Sequence, residues 1–265
     1  MKYDKLSALI RFDIIKMAHR AKASHLASAL SCVDILTVLY YSVMRINRDL
    51  LKASDRDRFI LSKGHAAAAL YAVIAHRGLI DIDELKSYGV IGSLLEEHPS
   101  IQQNGVEAST GSLGHGLAIA NGMALSTKIS GNNFMVFVLM SDGECNEGSV
   151  WEAAMFANKN KLNNLTAIID YNKWQATGRT NEVLGIAPLA EKWISFGWDV
   201  LEVDGHDHQE LIHALNSSDN KRPRMIIAHT VKGKGVSFME DDNNWHYRFP
   251  TASEVEAAKI ELIGK

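Results

Sequence analysis

Four short apolar runs in the second half of the chain alternate with patterns of helical spacing. The runs are residues 134–140, 165–169, 198–203 and 225–229. The helical stretches between them are about 148–161, 188–196 and 208–216. Continuous apolar runs of this length are typical of strands buried on both faces of a sheet. Strands that alternate with helices indicate right-handed crossovers, so we predict an α/β fold with a doubly wound, mostly parallel sheet in three layers.

The first half of the chain is predicted to be mainly helical. Further helices are predicted at residues 5–21, 31–44, 65–76 and 117–126. Gly78 would end the third of these, and Asp81 is placed to cap a short successor. Residues 89–110 show no period and predict a long surface segment. Because no repeat or linker is evident, we expect residues 1–265 to form one domain with a helical amino-terminal region.

Composition excludes several classes of protein. The chain has 265 residues, 46% hydrophobic and 22% charged, with a net charge of −3, which predicts a globular protein without general affinity for nucleic acid or anionic membranes. Its two cysteines, Cys32 and Cys145, are too few for a disulfide framework and predict reduced thiols. The sequence has neither a signal-peptide pattern nor an apolar run long enough to span a membrane. We therefore expect a cytoplasmic protein.

Two polar segments follow neighbouring apolar runs and carry candidate chemistry. They are SDGECNEG at 141–148 and DYNK at 170–173, and Asp142 and Asn172 are 30 positions apart. This spacing allows a strand, a crossover helix and a second strand, so both side chains can emerge at neighbouring strand ends. Carboxylate, amide and carbonyl oxygens suit Mg²⁺ bound to a diphosphate, and Gly143 lets the backbone approach a phosphate.

Other interpretations of these segments differ in strength. A calcium-binding EF-hand loop fails, because Glu147 and Ala153 stand where glycine and glutamate are required. A nucleotide P-loop at VKGKG fails because the spacing and the terminal Ser or Thr are missing. A plain strand-to-helix turn remains open for either segment taken alone.

Seven segments in order resemble the thiamine-diphosphate-binding half of the transketolase family. They are 57–70 (DRFILSKGHAAAAL), 97–99 (EHP), 110–116 (TGSLGHG), 142–151 (DGECNEGSVW), 170–173 (DYNK), 196–198 with 203–206 (FGW, VDGH) and 232–246 (KGKGVSFMEDDNNWH). The resemblance extends over nearly the whole chain. It implies the family's thiamine-diphosphate-binding fold.

The resemblance implies a metal and cofactor site. Asp142 and Asn172 would bind Mg²⁺, or Ca²⁺ or Mn²⁺ in its place, together with the backbone carbonyl of Trp174. Gly143 and Glu144 would lie at the diphosphate. Glu147 resembles a glutamate that links the two active sites of a dimer, although a charge at the start of a helix is the simpler alternative.

Four histidines match histidines of the family pattern. The resemblance assigns His65 and His246 mainly to the cofactor and the head of the sugar donor, and His25 and His98 to substrate hydroxyls and proton transfer. Histidine suits this chemistry because its pKa lies near neutrality. We take the other seven histidines as non-catalytic.

A glycine loop and two lysines complete the candidate site. Gly111, Ser112 and Leu113 resemble the family's loop at the aminopyrimidine and thiazolium rings, although a tight turn before a helix is an alternative. Lys63 and Lys232 occur in glycine-bearing segments that would reach phosphate oxygens. Each is equally compatible with a solvated loop charge.

The chain departs from the family pattern at four positions. Leu26 replaces a proline, Glu97 and Ser141 replace glycines, and His115 replaces a glutamine. These departures affect substrate geometry more than cofactor binding, because Asp142 and Asn172 are intact.

The resemblance also implies that another polypeptide takes part. In the family, the glutamate that activates the cofactor and most contacts to the sugar phosphate belong to the second, pyrimidine-binding half, and no segment here matches it. We therefore expect the chain to be the amino-terminal subunit of a split transketolase, assembled as two plus two with a separate subunit. The expected reaction is transfer of a two-carbon ketol unit between sugar phosphates.

Three alternatives remain open from the sequence. The chain could belong to a deoxyxylulose-phosphate synthase or to a 2-oxoacid dehydrogenase component, both of which use thiamine diphosphate. It could also be a non-catalytic regulatory subunit with the same fold. The sequence does not identify the donor or acceptor sugar.

Overall fold

A five-stranded parallel sheet forms the centre of the structure, a computed structural model that describes residues 2–217 and 221–264. The strands are β1 (Arg58–Leu61), β2 (Val136–Ser141), β3 (Leu165–Tyr171), β4 (Asp199–Asp204) and β5 (Arg224–His229). Their order across the sheet is β1-β2-β3-β5-β4, and each neighbouring pair is parallel. The predicted parallel α/β sheet is confirmed.

Alternate strand residues enter two separate hydrophobic cores. Phe137 and Leu139 of β2 pack into the first core, whereas Val138 and Met140 pack into the second. This follows from the period of two in a strand, which directs successive side chains to opposite faces. The sheet is therefore covered on both faces, as the prediction of three layers requires.

Two different sets of helices cover the two faces of the sheet. On the first face lie α1 (Lys2–Ala21), α2 (Leu26–Ser31), α3 (Val33–Val38), α4 (Ala67–His76), α9 (His208–Asn216) and α10 (Ala252–Ile263). On the second face lie α5 (Gly116–Ser130), α6 (Gly148–Lys159) and α8 (Leu189–Ser195). A short helix, α7 (Thr180–Val183), follows the end of β3. The helical amino-terminal third thus forms one layer over the sheet.

The local signals that end and begin helices behave as predicted. Gly78, just past α4, adopts φ 77°, a conformation that favours glycine. Asp81 forms a capping box with Glu84 at the start of a 3₁₀ helix. Residues 89–110 contain no helix or strand. Cys32 and Cys145 are buried free thiols.

Three predictions of elements were incomplete or wrong. β1 was missed because it has only four residues. β4 was predicted to be buried on both faces, but it is an edge strand and exposes Glu202 and Asp204. The helix predicted over 31–44 is divided: α2 ends at Ser31, and α3 continues into a π-helical turn at Leu39–Val43.

No helix among the described residues combines the length and the apolar character required to cross a membrane.

Candidate active site

Asp142 and Asn172 lie at the ends of neighbouring strands. Ser141 of β2 pairs with Asp170 of β3, and each candidate ligand is the first residue beyond its strand. Both side chains are buried. Ligands of open parallel sheets bind at this carboxyl edge. The predicted convergence of the pair is confirmed, whereas metal binding stays a prediction.

The carboxylate of Asp142 is oriented by its surroundings. Its Oδ1 accepts a hydrogen bond from the N–H of Gly143 at 2.9 Å. Its Oδ2 accepts from the N–H of Lys173 at 2.9 Å and from the Thr180 hydroxyl at 2.8 Å. Burial raises the pKa of Asp142 to about 6, and the Asp170 carboxylate adds to the rise. A bound cation would stabilise the ionised form of such a buried carboxylate.

The donor atoms at this edge fit a hard divalent cation. The Asp142 carboxylate, the Asn172 amide and the Trp174 carbonyl offer three oxygen ligands, which leaves room for phosphate and water. Asn172 Oδ1 accepts from the N–H of Trp174 at 3.1 Å, which draws the backbone of Trp174 to the site. Within residues 2–217 and 221–264, no group of three or more His, Cys, Asp or Glu is suited to a metal.

Gln175 adds a hydrogen-bond donor that the sequence did not reveal. Its Nε2 is buried and has no partner among the described residues. A Cβ atom at Gly143 would lie 2.8 Å from Gln175 Cγ, so glycine is required for this close approach. An unpaired amide beside an open backbone segment suits an anion such as a diphosphate, because the unpaired group is costly to bury. Its position just after DYNK was the only available signal.

The Trp174 side chain has a structural role. Its indole Nε1 donates to Asp241 at 2.7 Å, and the Arg179 guanidinium lies 3.8 Å from the ring centroid. Only the backbone carbonyl of Trp174 is therefore offered as a metal ligand.

A buried ion pair lies beneath the site. The fully buried ammonium of Lys63 pairs with Asp170 and donates to the Ser28 carbonyl at 2.9 Å. The Ser31 and Thr230 hydroxyls also donate to Asp170. Burial opposes the charge of Lys63, but Asp170 outweighs this effect and raises the lysine pKa. Lys63 joins α2 to the strand ends, so its interpretation as a solvated charge was wrong.

Glu144 supports the glycine loop. Its buried carboxylate accepts from the Ser62 hydroxyl and from the N–H of Gly114 at 2.8 Å. Gly114 adopts φ 85°, which favours glycine. These contacts make Glu144 a support for the loop at residues 111–113. Direct cofactor contacts of Glu144 and of Gly111, Ser112 and Leu113 stay predictions.

The four predicted histidines form one cluster although they come from four separate segments. The ring centroid of His25 lies 4.9 Å from that of His246, 5.6 Å from that of His65 and 6.1 Å from that of His98. His65 and His246 are 6.1 Å apart. His25 is therefore the centre of the cluster. The sequence correctly predicted that these side chains share a site.

The backbone holds two of these rings in place. His25 adopts the left-handed φ of 65°, which is uncommon outside glycine, and its N–H donates to the His246 carbonyl at 2.8 Å. A Cβ atom at Gly111 would lie 3.1 Å from the His98 ring, so glycine allows the loop to approach. Strain of this kind is typical of functional sites.

Three of the histidine rings, those of His25, His65 and His246, favour the neutral state. Burial lowers the pKa of His25, moves that of His65 well below its usual value, and lowers that of His246 to about 3. Nearby positive groups, including Lys232, act in the same direction. Neutral imidazoles can accept protons or hydrogen bonds from sugar hydroxyls at neutral pH.

Lys232 is buried beside this cluster. Its Nζ donates to Asn243 Oδ1 at 2.6 Å and lies 3.4 Å from His246 Nδ1, and its exposed fraction is 1%. Burial lowers the pKa of Lys232 to about 8, and the charge of Lys63 adds to this effect. The interpretation of Lys232 as a solvated charge was wrong.

Glu147 lies at the start of α6 on the surface. It is exposed, and its side chain makes no capping hydrogen bond. Glu147 occupies the N-cap position of α6, which agrees with the alternative of a charge at the start of a helix. A role at a subunit interface stays a prediction.

A second buried network positions the Lys232 segment. The Arg11 guanidinium donates to both oxygens of Asp34, at 3.1 and 2.6 Å. His206 Nδ1 lies 2.8 Å from Asp34 Oδ2, and His206 Nε2 accepts from the N–H of Val231 at 2.9 Å. Because Nε2 accepts, the His206 ring is neutral and carries its proton on Nδ1. This histidine fixes the position of Val231, the residue before Lys232.

Comparison with known proteins identifies the family. The family model described as "Transketolase, thiamine diphosphate binding domain" matches residues 3–264. An apulose-4-phosphate transketolase subunit of Phocaeicola vulgatus is 44% identical over 254 residues, which cover 95% of this chain and 90% of that protein. A 6-deoxy-6-sulfo-D-fructose transketolase subunit of Clostridium sp. is 38% identical over 241 residues, 90% of this chain and 88% of that one.

Solved transketolases share the fold. The Campylobacter jejuni enzyme superposes with a TM-score of 0.89 at 30% identity, over 99% of this chain and 43% of that one. A transketolase variant of Pichia stipitis gives a TM-score of 0.92 at 26% identity, over 98% of this chain and 40% of that one. The chain thus spans less than half of these solved proteins. It belongs to the transketolase family, where it corresponds to the amino-terminal, thiamine-diphosphate-binding domain.

Proposed function

We propose that this chain is the cofactor-binding subunit of a split transketolase. With a separate pyrimidine-binding subunit, thiamine diphosphate and Mg²⁺, it would transfer a two-carbon ketol unit from a ketose phosphate to an aldose phosphate in the cytoplasm. When bound, thiamine diphosphate would supply the nucleophilic carbon for this chemistry. The chain's own residues would bind, orient and exchange protons.

The observation that carries this proposal is the convergence of the histidine cluster with the candidate metal edge. Lys63 connects the two, because it pairs with Asp170 at the end of β3 and lies two residues before His65. A diphosphate at the strand ends would leave the four rings on the side where a sugar binds. Non-catalytic scaffolding would not require four partly exposed histidines around one point.

We assign roles as follows. Asp142, Asn172 and the Trp174 carbonyl would hold the metal, and Gly143 with Gln175 would hold the diphosphate. His65 and His246 would contact the cofactor and the donor head, with Lys232 contributing positive charge. His25 and His98 would bind substrate hydroxyls and exchange protons with them.

The partner subunit is supported by the relatives. The two relatives named above are themselves called transketolase subunits, and the alignments cover nearly all of each. Exposed Glu147 is suited to an interface in an assembly of two plus two chains. A pyrimidine-binding domain on a second polypeptide would complete the active site.

The relatives also suggest the kind of substrate. Their names refer to apulose-4-phosphate and 6-deoxy-6-sulfo-D-fructose, which are specialised sugars with an anionic end. We propose an anionic ketose donor of this specialised kind in preference to the general pentose phosphates. Deoxyxylulose-phosphate synthase or 2-oxoacid dehydrogenase activity is less well supported, because the relatives are transketolase subunits.

Reconstitution tests the proposal. The purified chain with thiamine diphosphate, Mg²⁺ and a ketose phosphate donor should show no ketol transfer alone. It should become active when the pyrimidine-domain subunit is added. Full activity of the chain alone would contradict the split arrangement, and a cofactor-loaded but inactive complex with a panel of ketose donors would favour the regulatory alternative.

A further inference from the structure

A hydrogen-bonded chain of three side chains reaches the centre of the histidine cluster from outside. We propose that Glu97 and Ser24 are positioning residues that hold the proton of His25 on Nδ1 and thereby present Nε2 as the base for a substrate hydroxyl. The inference rests on the proposed function only for the identity of that substrate. The tautomer of His25 is a property of the chain itself.

The geometry links three residues from two loops. Ser24 Oγ lies 3.4 Å from Glu97 Oε2 and 3.1 Å from His25 Nδ1. All three residues are partly exposed. Glu97 comes from the long segment before α5, 73 positions away from Ser24. The contact therefore exists only in the folded chain.

The number of available protons decides which group donates in each of the two hydrogen bonds. A serine hydroxyl has one proton, and a carboxylate can only accept. If the hydroxyl donates to Glu97, the contact with His25 must be a hydrogen bond that His25 Nδ1 donates. Burial lowers the pKa of His25, so at neutral pH the ring is neutral, with its proton on Nδ1 and a free electron pair on Nε2. This is the tautomer in which Nε2 is the accepting atom.

Glu97 acts on the charge of His25 in the opposite direction to the nearby positive groups. His98, on the same segment as Glu97, and Lys232, beyond β5, both disfavour a positive charge on His25, whereas Glu97 favours it. The rings of His65 and His246 complete the surroundings. Burial is the largest effect and lowers the pKa of His25, and Glu97 offsets part of this decrease. Glu97 therefore makes the ring more basic than it would be without this carboxylate.

The proton transfer balances without any further reactant. The O–H bond of the substrate hydroxyl breaks, and its electron pair stays on the oxygen. The proton binds the electron pair of His25 Nε2, and the ring becomes an imidazolium. The negative charge of Glu97, relayed through Ser24, stabilises that imidazolium.

Glu97 also distinguishes this chain from the family pattern. Glycine is common at this position in the family, and glycine has no side chain that could reach Ser24. The carboxylate is therefore an addition to the four-histidine arrangement. It reaches the central histidine through Ser24.

Nitrogen NMR of the full chain tests the tautomer directly. With ¹⁵N-labelled histidine at neutral pH, and His25→Gln to assign the signals, the ring of His25 should carry its proton on Nδ1. Ser24→Ala should give a mixture of tautomers. Glu97→Gln can still accept a hydrogen bond from Ser24, so the proton of His25 should stay on Nδ1. A wild-type ring protonated on Nε2, or a Ser24→Ala spectrum identical to the wild type, would overturn the proposal.

The pH dependence of the assembled enzyme gives a second test. Removing the charge in Glu97→Gln should lower the pKa of His25, so the acidic limb of the pH profile of kcat should move down by roughly 0.5 to 1 unit. The weaker base should also reduce the plateau of kcat about threefold. Glu96→Gln, at the exposed neighbouring position, is the matched control and should leave the profile in place. A pH profile of Glu97→Gln that coincides with that of Glu96→Gln would contradict the role of Glu97. Absence of ketol transfer in the wild type would contradict the proposed function and not the tautomer of His25.

Discussion

The positive charges of the two buried lysines near the site are balanced to different extents. Lys63 forms an ion pair with Asp170, whereas the ammonium of Lys232 meets the neutral side chains of Asn243 and His246. An incompletely compensated buried charge costs free energy in the folded state. We interpret this cost as the preparation of a site for an anion, since a bound diphosphate would offset it.

Replacing Lys232 should therefore stabilise the free chain. The pKa of Lys232 is lowered from its usual 10.5 to about 8, so its charge opposes folding at every pH below about 8. This cost in free energy declines as the pH rises from 8 towards 10.5. In that range Lys232 has lost its proton in the folded chain, whereas the unfolded chain still binds it. Lys232→Met should raise the free energy of unfolding by about 1–2 kcal/mol at pH 7, measured by urea denaturation, and this advantage should vanish near pH 10.5.

Lys234→Met provides the control, because Lys234 is less buried and lies 3.6 Å from Glu240. It should change stability by less than about 0.5 kcal/mol. In the assembled enzyme, Lys232→Met should weaken thiamine diphosphate binding while Lys234→Met should not. A destabilised Lys232→Met chain at pH 7 would contradict the interpretation.

The residues of the site could be predicted where a motif marks them. Asp142, Asn172 and the four histidines were found because each matches a position of the family pattern. Gln175 and the partners of Glu144 could not be found, because their roles depend on contacts between segments distant in sequence. The burial of Lys63 was likewise invisible, because its partner Asp170 is 107 positions away.

At the scale of elements, strands with continuous apolar runs were predicted well. β3 and β5 begin and end within two residues of the predicted bounds. β1 was missed because four residues are too few to show a pattern. β4 was misjudged because its order in the sheet, which places it at the edge, cannot be derived from periodicity. Its acidic residues Glu202 and Asp204 were the available sign.

The network around Asp34 joins α1 and α3 to the segments after β4 and β5 and should contribute measurably to stability. Burial opposes the charge of Asp34, but Arg11 and the neighbouring histidines hold its pKa well below the usual range. His206→Ala would remove one donor to Asp34 and leave the N–H of Val231 without its acceptor. We expect a loss of about 1–3 kcal/mol in the free energy of unfolding, measured by urea denaturation.

His213→Ala is a suitable comparison, since His213 is exposed on α9. It should cost less than about 0.5 kcal/mol. Equal stability of the two variants would mean that the hydrogen bonds of His206 do not stabilise the fold. Because Lys232 follows Val231, His206→Ala should also weaken cofactor binding in the assembled enzyme.

At the scale of the whole molecule, we propose that the chain offers one half of an active site at the carboxyl edge of its sheet. In this proposal, the candidate metal ligands and the histidine cluster contact the cofactor, and exposed Glu147 contacts a second subunit. We expect the glutamate that activates the cofactor to come from the second subunit. In our account, assembly is therefore a requirement for catalysis.

Glu147 should matter for assembly and not for folding. Its side chain is exposed and makes no capping hydrogen bond, so Glu147→Ala should leave the free energy of unfolding within about 0.5 kcal/mol of the wild type. If Glu147 lies at the interface, the dissociation constant of the assembled complex should rise about tenfold, or about 1.4 kcal/mol. Sedimentation velocity of mixtures with the partner subunit measures this effect.

Glu152→Ala, at another exposed position of α6, is the matched control. It should leave both folding and assembly unchanged. Identical sedimentation of the two variants would place Glu147 outside the interface.

The most direct test of the central claim is calorimetry of thiamine diphosphate binding to the assembled complex. The wild type should bind the cofactor in a Mg²⁺-dependent manner, and Asp142→Ala should abolish that dependence together with most of the affinity. Asp204→Ala, which removes an exposed carboxylate at the end of the edge strand β4, should bind as the wild type does. Unchanged Mg²⁺-dependent affinity in Asp142→Ala would contradict the assignment of the strand-end site.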